Sequence, residues 1–225
     1  MSTEARFQLF VKAGKDGKSI GDCPFSQRVN MFTGLTLNNS DVEIIPINTS
    51  DKPDYFLKLN PEGKVPVLVD RHNNNKIIPD SGEITRYINE LFPKPEVHQG
   101  YSGPAIDAAS GIFPKFAAMM TNKDSSKNEE LKANLVAELR KLNDFLAANI
   151  NNKYLLCDNV CELDCQVLPK LRHIQVAGTF YKSFNIPEEF TTLTRYIKEG
   201  EACDVFKNSC PPDEEIIWGW SKFFT

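Results

Sequence analysis

Hydrophobic and polar positions divide the chain into two unlike stretches. Over roughly the first ninety residues, short apolar runs alternate with stretches of helical spacing. Phe7–Val11 reads as a first strand, and the loop after it is broken by Gly14, Gly17 and Gly21. Cys23-Pro24-Phe25-Ser26 then opens a helix. Proline fits the first helical position, which puts Cys23 at the N-cap, and Gly34 is the expected stop. Val42–Ile47 is a second strand, and Pro46 within it predicts a sheet edge. Asp54–Leu59 fits a short helix, Val65–Val69 a third strand, and Lys76–Ile78 a fourth after the Asn73-Asn74-Asn75 turn. Asp80 and Ser81 open a helix that runs toward Phe92 and is stopped by Pro93.

Beyond residue 93 the apolar positions keep a helical period. Leu131, Leu135, Val136, Leu139, Leu142, Phe145 and Leu146 recur at helical spacing, with Ser126 and Glu129 placed as a capping box ahead of them. Pro93, Pro95, Gly100, Gly103 and Pro104 punctuate the junction. The predicted division is therefore 1–93, read β-α-β-α-β-β-α, and 104–225, read as all helical.

Composition narrows the function classes. In 225 residues, 41% are hydrophobic and 10% aromatic, enough for a real core. Lys and Arg number 26 against 30 Asp and Glu, so no basic surplus points to nucleic acid. No window approaches the roughly 18 apolar residues of a membrane span. Met1–Arg6 is polar and acidic, unlike a secretory leader, so the expected compartment is the cytoplasm. Six cysteines there are expected to be thiols.

The chemistry centres on Cys23. A helix N-terminus presents unpaired N–H groups and a partial positive charge, which favour a thiolate and make it a nucleophile. Ser26 stands where a two-cysteine redox motif has its second cysteine, and the next cysteine is Cys157. A reactive Cys23 would therefore use an external thiol. The plain alternative is a buried cysteine that only caps a helix. Val65-Pro66 before a strand suits a cis bond whose backbone pairs with a peptide ligand; an ordinary trans edge proline is the alternative. Asp80-Ser81 at a helix start suits a ligand carboxylate, though a routine N-cap is the commoner use.

Those residues bring out a resemblance that covers nearly the whole chain, in order. Phe10–Gly14, Ile20-Gly21, Cys23–Arg28, Leu59–Leu68, Leu168–Leu171, Asn185–Glu188 and Cys210–Ile216 resemble the chloride intracellular channel family, an omega-like branch of the glutathione-transferase superfamily. The resemblance implies a thioredoxin-like N-terminal domain followed by an all-helical domain. It implies glutathione as co-substrate and no metal. Cys23 matches the reactive cysteine, with Lys12, Pro24, Phe25, Val65, Pro66, Asp80 and Ser81 forming the glutathione site. Soluble members act as glutathione-dependent oxidoreductases and are typically monomeric, and some are described as inserting into membranes to conduct chloride. Asn60 fills a slot that is cysteine in some members, so a disulfide from Cys23 to that position is not available. Ala148–Leu155 is short where some members carry an acidic loop.

Several other features read as structural. Cys157, Cys161 and Cys165 lie four apart with no evident fourth ligand, which favours packing over a soft-metal site. Cys161 stands where relatives cap a helix with Ser or Thr; sulfur is the weaker acceptor, so a poorer cap is expected. His72, His98 and His173 are scattered singly. Phe180, Tyr181, Phe184, Phe190 and Tyr196 suit a helical core or cleft floor, Trp218 and Trp220 suit packing of the last helix, and Asp213-Glu214-Glu215 suits its acidic start. Phe25, Val29, Met31, Phe32, Leu35 and Leu37 read as the buried face of an amphipathic helix and its exit, so membrane entry there would require unfolding. Three functions follow for test: a monothiol oxidoreductase and transferase, a redox- or pH-triggered chloride channel, and a non-enzymatic scaffold.

Overall fold

The computed structural model describes residues 4–97 and 103–224. His98 and Gly100, singled out above, lie outside the described residues. The N-terminal part runs β1 (Phe7–Lys12), α1 (Pro24–Thr36), β2 (Val42–Ile47), α2 (Asp54–Leu59), β3 (Val67–Asp70), β4 (Lys76–Ile78) and α3 (Ser81–Leu91). The sheet order is β2-β1-β3-β4, with β1 parallel to β2 and antiparallel to β3, and β4 antiparallel to β3. Pro46 does lie on the edge strand, opposite Val11.

Strand alternation sorts the sheet's two faces. Phe7, Leu9 and Val11 point with Leu68 into the core shared with α1, α3 and the helical region. Phe10, Val67 and Val69 point the other way, where Phe56 of α2 closes a smaller core with Ile47. Phe10 and Phe56 pack as tilted rings, 5.8 Å between centroids. Burying about a dozen large side chains on two faces fixes the register, since a one-residue slip would exchange them.

The second part is helical: α4 (Gly103–Ser110), α5 (Ile112–Thr121), α6 (Asn128–Ala148), α7 (Glu162–His173), α8 (Thr179–Lys182), α9 (Thr191–Ala202), α10 (Asp204–Lys207) and α11 (Asp213–Ser221). The stripe Leu135, Leu139, Leu142 and Leu146 of α6 is fully buried. A π-helical stretch, Ile174–Gly178, joins α7 to α8. The two parts meet through α1 and α7. There the Arg28 guanidinium reaches Glu162 at 3.2 Å while Thr85 of α3 donates to the same carboxylate at 2.7 Å.

Four local readings need correction. The helix expected to stop at Gly34 runs on to Thr36, where the Leu37 N–H closes the last turn on the Thr33 carbonyl at 2.8 Å. Strand β3 begins at Val67 rather than Val65, since Val65-Pro66 forms a cis peptide ahead of it. Ser126 does not cap α6. It sits in a 3-10 turn capped by Asp124, whose carboxylate accepts from the Ser126 N–H at 3.0 Å. Phe25 is not on the buried face of α1 and is 39% exposed, whereas Val29, Met31 and Phe32 are buried. No helix among the described residues is long and apolar enough to cross a membrane.

Candidate active site

Cys23 occupies the N-cap of α1 in an extended conformation, half-buried, with no capping hydrogen bond from its sulfur. Pro24 follows at the first helical position, so the first-turn N–H groups of α1 face the thiol's side of the loop. The loop before it is pinned back on β1. Ala13 N–H donates to Ile47 at 2.8 Å and Gly21 N–H to the Lys12 carbonyl at 2.7 Å. A Cβ on Gly21 would stand 2.3 Å from the Ala13 carbonyl oxygen, so the close approach requires glycine. Ser26, in the slot of a second redox cysteine, is buried and accepts from the Lys12 backbone N–H at 3.4 Å.

Lys12 does not face Cys23 as a lone cation. Its ammonium pairs with Asp22 at 2.5 Å, both groups being largely buried. The Trp218 ring lies 5.7 Å from the same nitrogen. Helix α11 presses directly on Asp22: a Cβ on Gly219 would stand 1.8 Å from its carboxylate oxygen. Beneath them His173 is buried, with Nδ1 accepting from the Trp220 indole N–H at 2.9 Å. Burial pushes the His173 pKa down to about 4, so the ring is neutral and its proton sits on Nε2.

These residues line one cavity of about 260 Å³, walled by Lys12, Asp22–Phe25, Thr49, His173, Gly219, Trp220, Lys222 and Phe223. The exposed Phe25 ring meets Phe113 edge-on at 5.6 Å. Of the residues assigned from the sequence, the cavity brings together Cys23, Lys12, Pro24 and Phe25. Val65, Pro66, Asp80 and Ser81 are not among its walls. Val65 and Pro66 form the cis peptide, and Asp80 caps α3 by accepting from the Gly82 and Glu83 N–H groups at 2.8 and 3.0 Å. Asn60 caps the end of α2 and donates to the Lys64 carbonyl at 2.9 Å, a structural use of its slot. Sequence reasoning missed Asp22, His173 and Gly219. Asp22 adjoins the cysteine and was legible as a charge; the other two arrive only through tertiary packing.

Four of the other cysteines, Cys161, Cys165, Cys203 and Cys210, have thiols raised by burial. Burial raises the Cys161 and Cys165 thiols far above the ordinary range, and Cys210 to about 11. No group of metal-ligating side chains assembles among the described residues. A larger groove, about 520 Å³, lies between Gln175, Asn185, Glu188, Lys198 and Glu201, and has no cysteine in its walls. The cleft at Cys23 is smaller and has a half-exposed thiol in its wall.

Comparison with known proteins places this geometry. Residues 19–96 match the family model for the glutathione S-transferase N-terminal domain. The dehydroascorbate reductase of Chlamydomonas reinhardtii is similar at 25% identity and a TM-score of 0.87, covering 99% of this chain and 100% of that one. The CLIC homologue EXC-4 from C. elegans is similar at 22% identity and 0.82, covering 99% and 84%. Glutathione transferase Omega 3C from Trametes versicolor follows at 18% and 0.74, covering 92% and 90%. The chain thus has the glutathione-transferase fold, a thioredoxin-like sheet-and-helix domain followed by an all-helical region.

Proposed function

We propose that this chain is a glutathione-dependent thiol oxidoreductase that works through one cysteine. The observation that carries the reading is Cys23: half-exposed at the mouth of α1, in a cleft with no second cysteine in its walls. The reactive form of a cysteine is its thiolate. That thiolate attacks a glutathione mixed disulfide, forming a Cys23–glutathione disulfide and releasing the substrate as its thiolate. A second glutathione thiolate attacks the glutathione sulfur, restores the Cys23 thiolate and leaves as oxidised glutathione. Glutathione is held along Val65-Pro66, whose backbone pairs with its cysteinyl unit, with Asp80 and Ser81 at its γ-glutamyl end and Pro24 and Phe25 beside the sulfur. The division at residues 93 and 104, a cytoplasmic location and a monomeric soluble form belong to the same proposal.

Two substrates make the first assay: hydroxyethyl disulfide, and dehydroascorbate, on which the Chlamydomonas protein acts by name. Cys23→Ser should lower glutathione-dependent turnover by about 10²-fold or more. Unchanged turnover would end the mechanism and leave the scaffold reading. The channel reading draws on the likeness to the CLIC homologue. Against it, Val29, Met31 and Phe32 of the stretch after Cys23 are core residues of the fold. Chloride flux through liposomes by the pure protein, over a range of pH and oxidant, would revive it.

A further inference from the structure

Beside the cleft, over the ring of its wall residue Phe25, lies a cation that the mechanism has not used. Lys12 is neutralised by Asp22, and Arg28 by Glu162. Lys222 is exposed at the rim, where water screens its charge. Lys170 of α7 differs from all three. Among the described residues it has no carboxylate partner. Its ammonium lies instead 5.9 Å from the centroid of Phe25 and 6.0 Å from that of Phe113. The exposed Phe25 ring and the half-buried Phe113 ring form an apolar shoulder directly beyond Cys23-Pro24. Lys170 also precedes His173 by one helical turn, and His173 is a wall of the Cys23 cavity. Its stem is therefore on the cleft-facing side of α7.

A largely buried, unpaired ammonium is costly unless something else uses its charge. Burial, with the Arg28 guanidinium adding to the effect, pushes the Lys170 pKa down to about 8. The group therefore still carries its proton at neutral pH. An anion seated against Phe25 would supply the missing partner, and the two rings would supply a face for a flat apolar body.

We infer that Lys170, Phe25 and Phe113 form the subsite for the oxidised co-substrate, and that they select small electrophiles carrying a negative charge. Lys170 is the specificity-determining group of this subsite. The inference rests on the oxidoreductase reading, because the selected molecule is the one whose sulfur Cys23 attacks.

Two aromatic disulfides isolate the charge: anionic 5,5′-dithiobis(2-nitrobenzoate) and neutral 4,4′-dithiodipyridine. With either, the Cys23 thiolate attacks one sulfur, a Cys23–aryl disulfide forms, and one aryl thiolate leaves. The rate is followed at that leaving group, and the rate of Cys23→Ser is subtracted for the other cysteines. Lys170→Met keeps the apolar stem and should slow the anionic reagent about 10-fold while leaving the neutral one within about twofold. Lys170→Arg should restore the anionic rate, and the wild-type preference should shrink with salt. Lys58→Met, behind the sheet on the exposed side of α2, should change neither rate. Equal slowing of both reagents, or no slowing of either, would overturn the subsite. Labelling of Cys23→Ser as fast as the wild type would instead overturn the oxidoreductase reading itself.

Discussion

Among the described residues three helices begin at a cysteine, and two of these, Cys23 of α1 and Cys161 of α7, have opposite surroundings. Cys23 caps α1 and Cys161 caps α7. At α1 the third helical residue is Ser26, whose hydroxyl is turned back onto β1, and the sulfur is left without a capping bond in an open cleft. At α7 the third residue is Asp164, and the capping box is closed. The Asp164 carboxylate accepts from the Cys161 N–H at 2.8 Å, from the Leu155 N–H at 3.1 Å and from the Tyr196 hydroxyl at 2.9 Å. Burial raises the Cys161 thiol, and the neighbouring Asp164 raises it further. A helix terminus alone therefore does not make a nucleophile. Exposure and the charge at the third position differ, so the same residue at the same helical position faces an open cleft in one helix and a packed core in the other.

The sharpest way to break this contrast is alkylation. Iodoacetamide at neutral pH should label Cys23 at least about 10-fold faster than Cys161, and Cys161→Ala should leave the fast phase intact. Fast labelling of Cys161 in the folded protein would erase the distinction. The next effect in size is on stability. Asp164→Ala strips the acceptor from three buried donors and should cost about 3–5 kcal/mol in denaturant unfolding. A loss under about 1 kcal/mol would mean the α7 box is not what holds that end.

His173 sharpens the other half of the comparison, since it supports the Cys23 cleft from below. Its pKa is about 4 folded and 6.5 in the ordinary state. The unfolded chain therefore binds more protons between those values, and stability falls as pH drops from 6.5 toward 4. The loss should reach roughly 3 kcal/mol. Chemical unfolding at pH 7 and pH 4.5 should show a smaller pH effect in His173→Gln than in the wild type; an equal effect would remove His173 from the account. The smallest change is expected for Cys161→Ser. Serine is the better cap by about 0.5–2 kcal/mol, yet the buried sulfur it replaces packs in the core, so the net shift should stay within about 1 kcal/mol. Thermal melting measures it, and a large gain would mean that the sulfur caps poorly despite the closed box.

How far the sequence revealed all this depends on the range of each interaction. Local rules located Cys23 ahead of Pro24, the edge strand through Pro46, and α11 through Pro212 and its acidic first turn. Each needs only a residue's own φ, its missing N–H or a nearby helix dipole. The departures come from contacts between distant parts of the chain. Lys12 is neutralised in a pocket that Gly219 and Trp218 close from the far end of the sequence. Phe180, expected in a helical core or a cleft floor, is 62% exposed, while Phe190 and Tyr196 from the same group are fully buried. Periodicity cannot separate these cases, because it marks a face without saying what covers it.

The account stands on Cys23 being the sulfur that exchanges with glutathione. Intact-mass analysis after incubation with oxidised glutathione, followed by peptide mapping, tests this most directly. One glutathione adduct should form, map to Cys23 and disappear on adding reduced glutathione. No adduct at Cys23, or adducts shared among Cys157, Cys203 and Cys210 while Cys23 stays free, would contradict it.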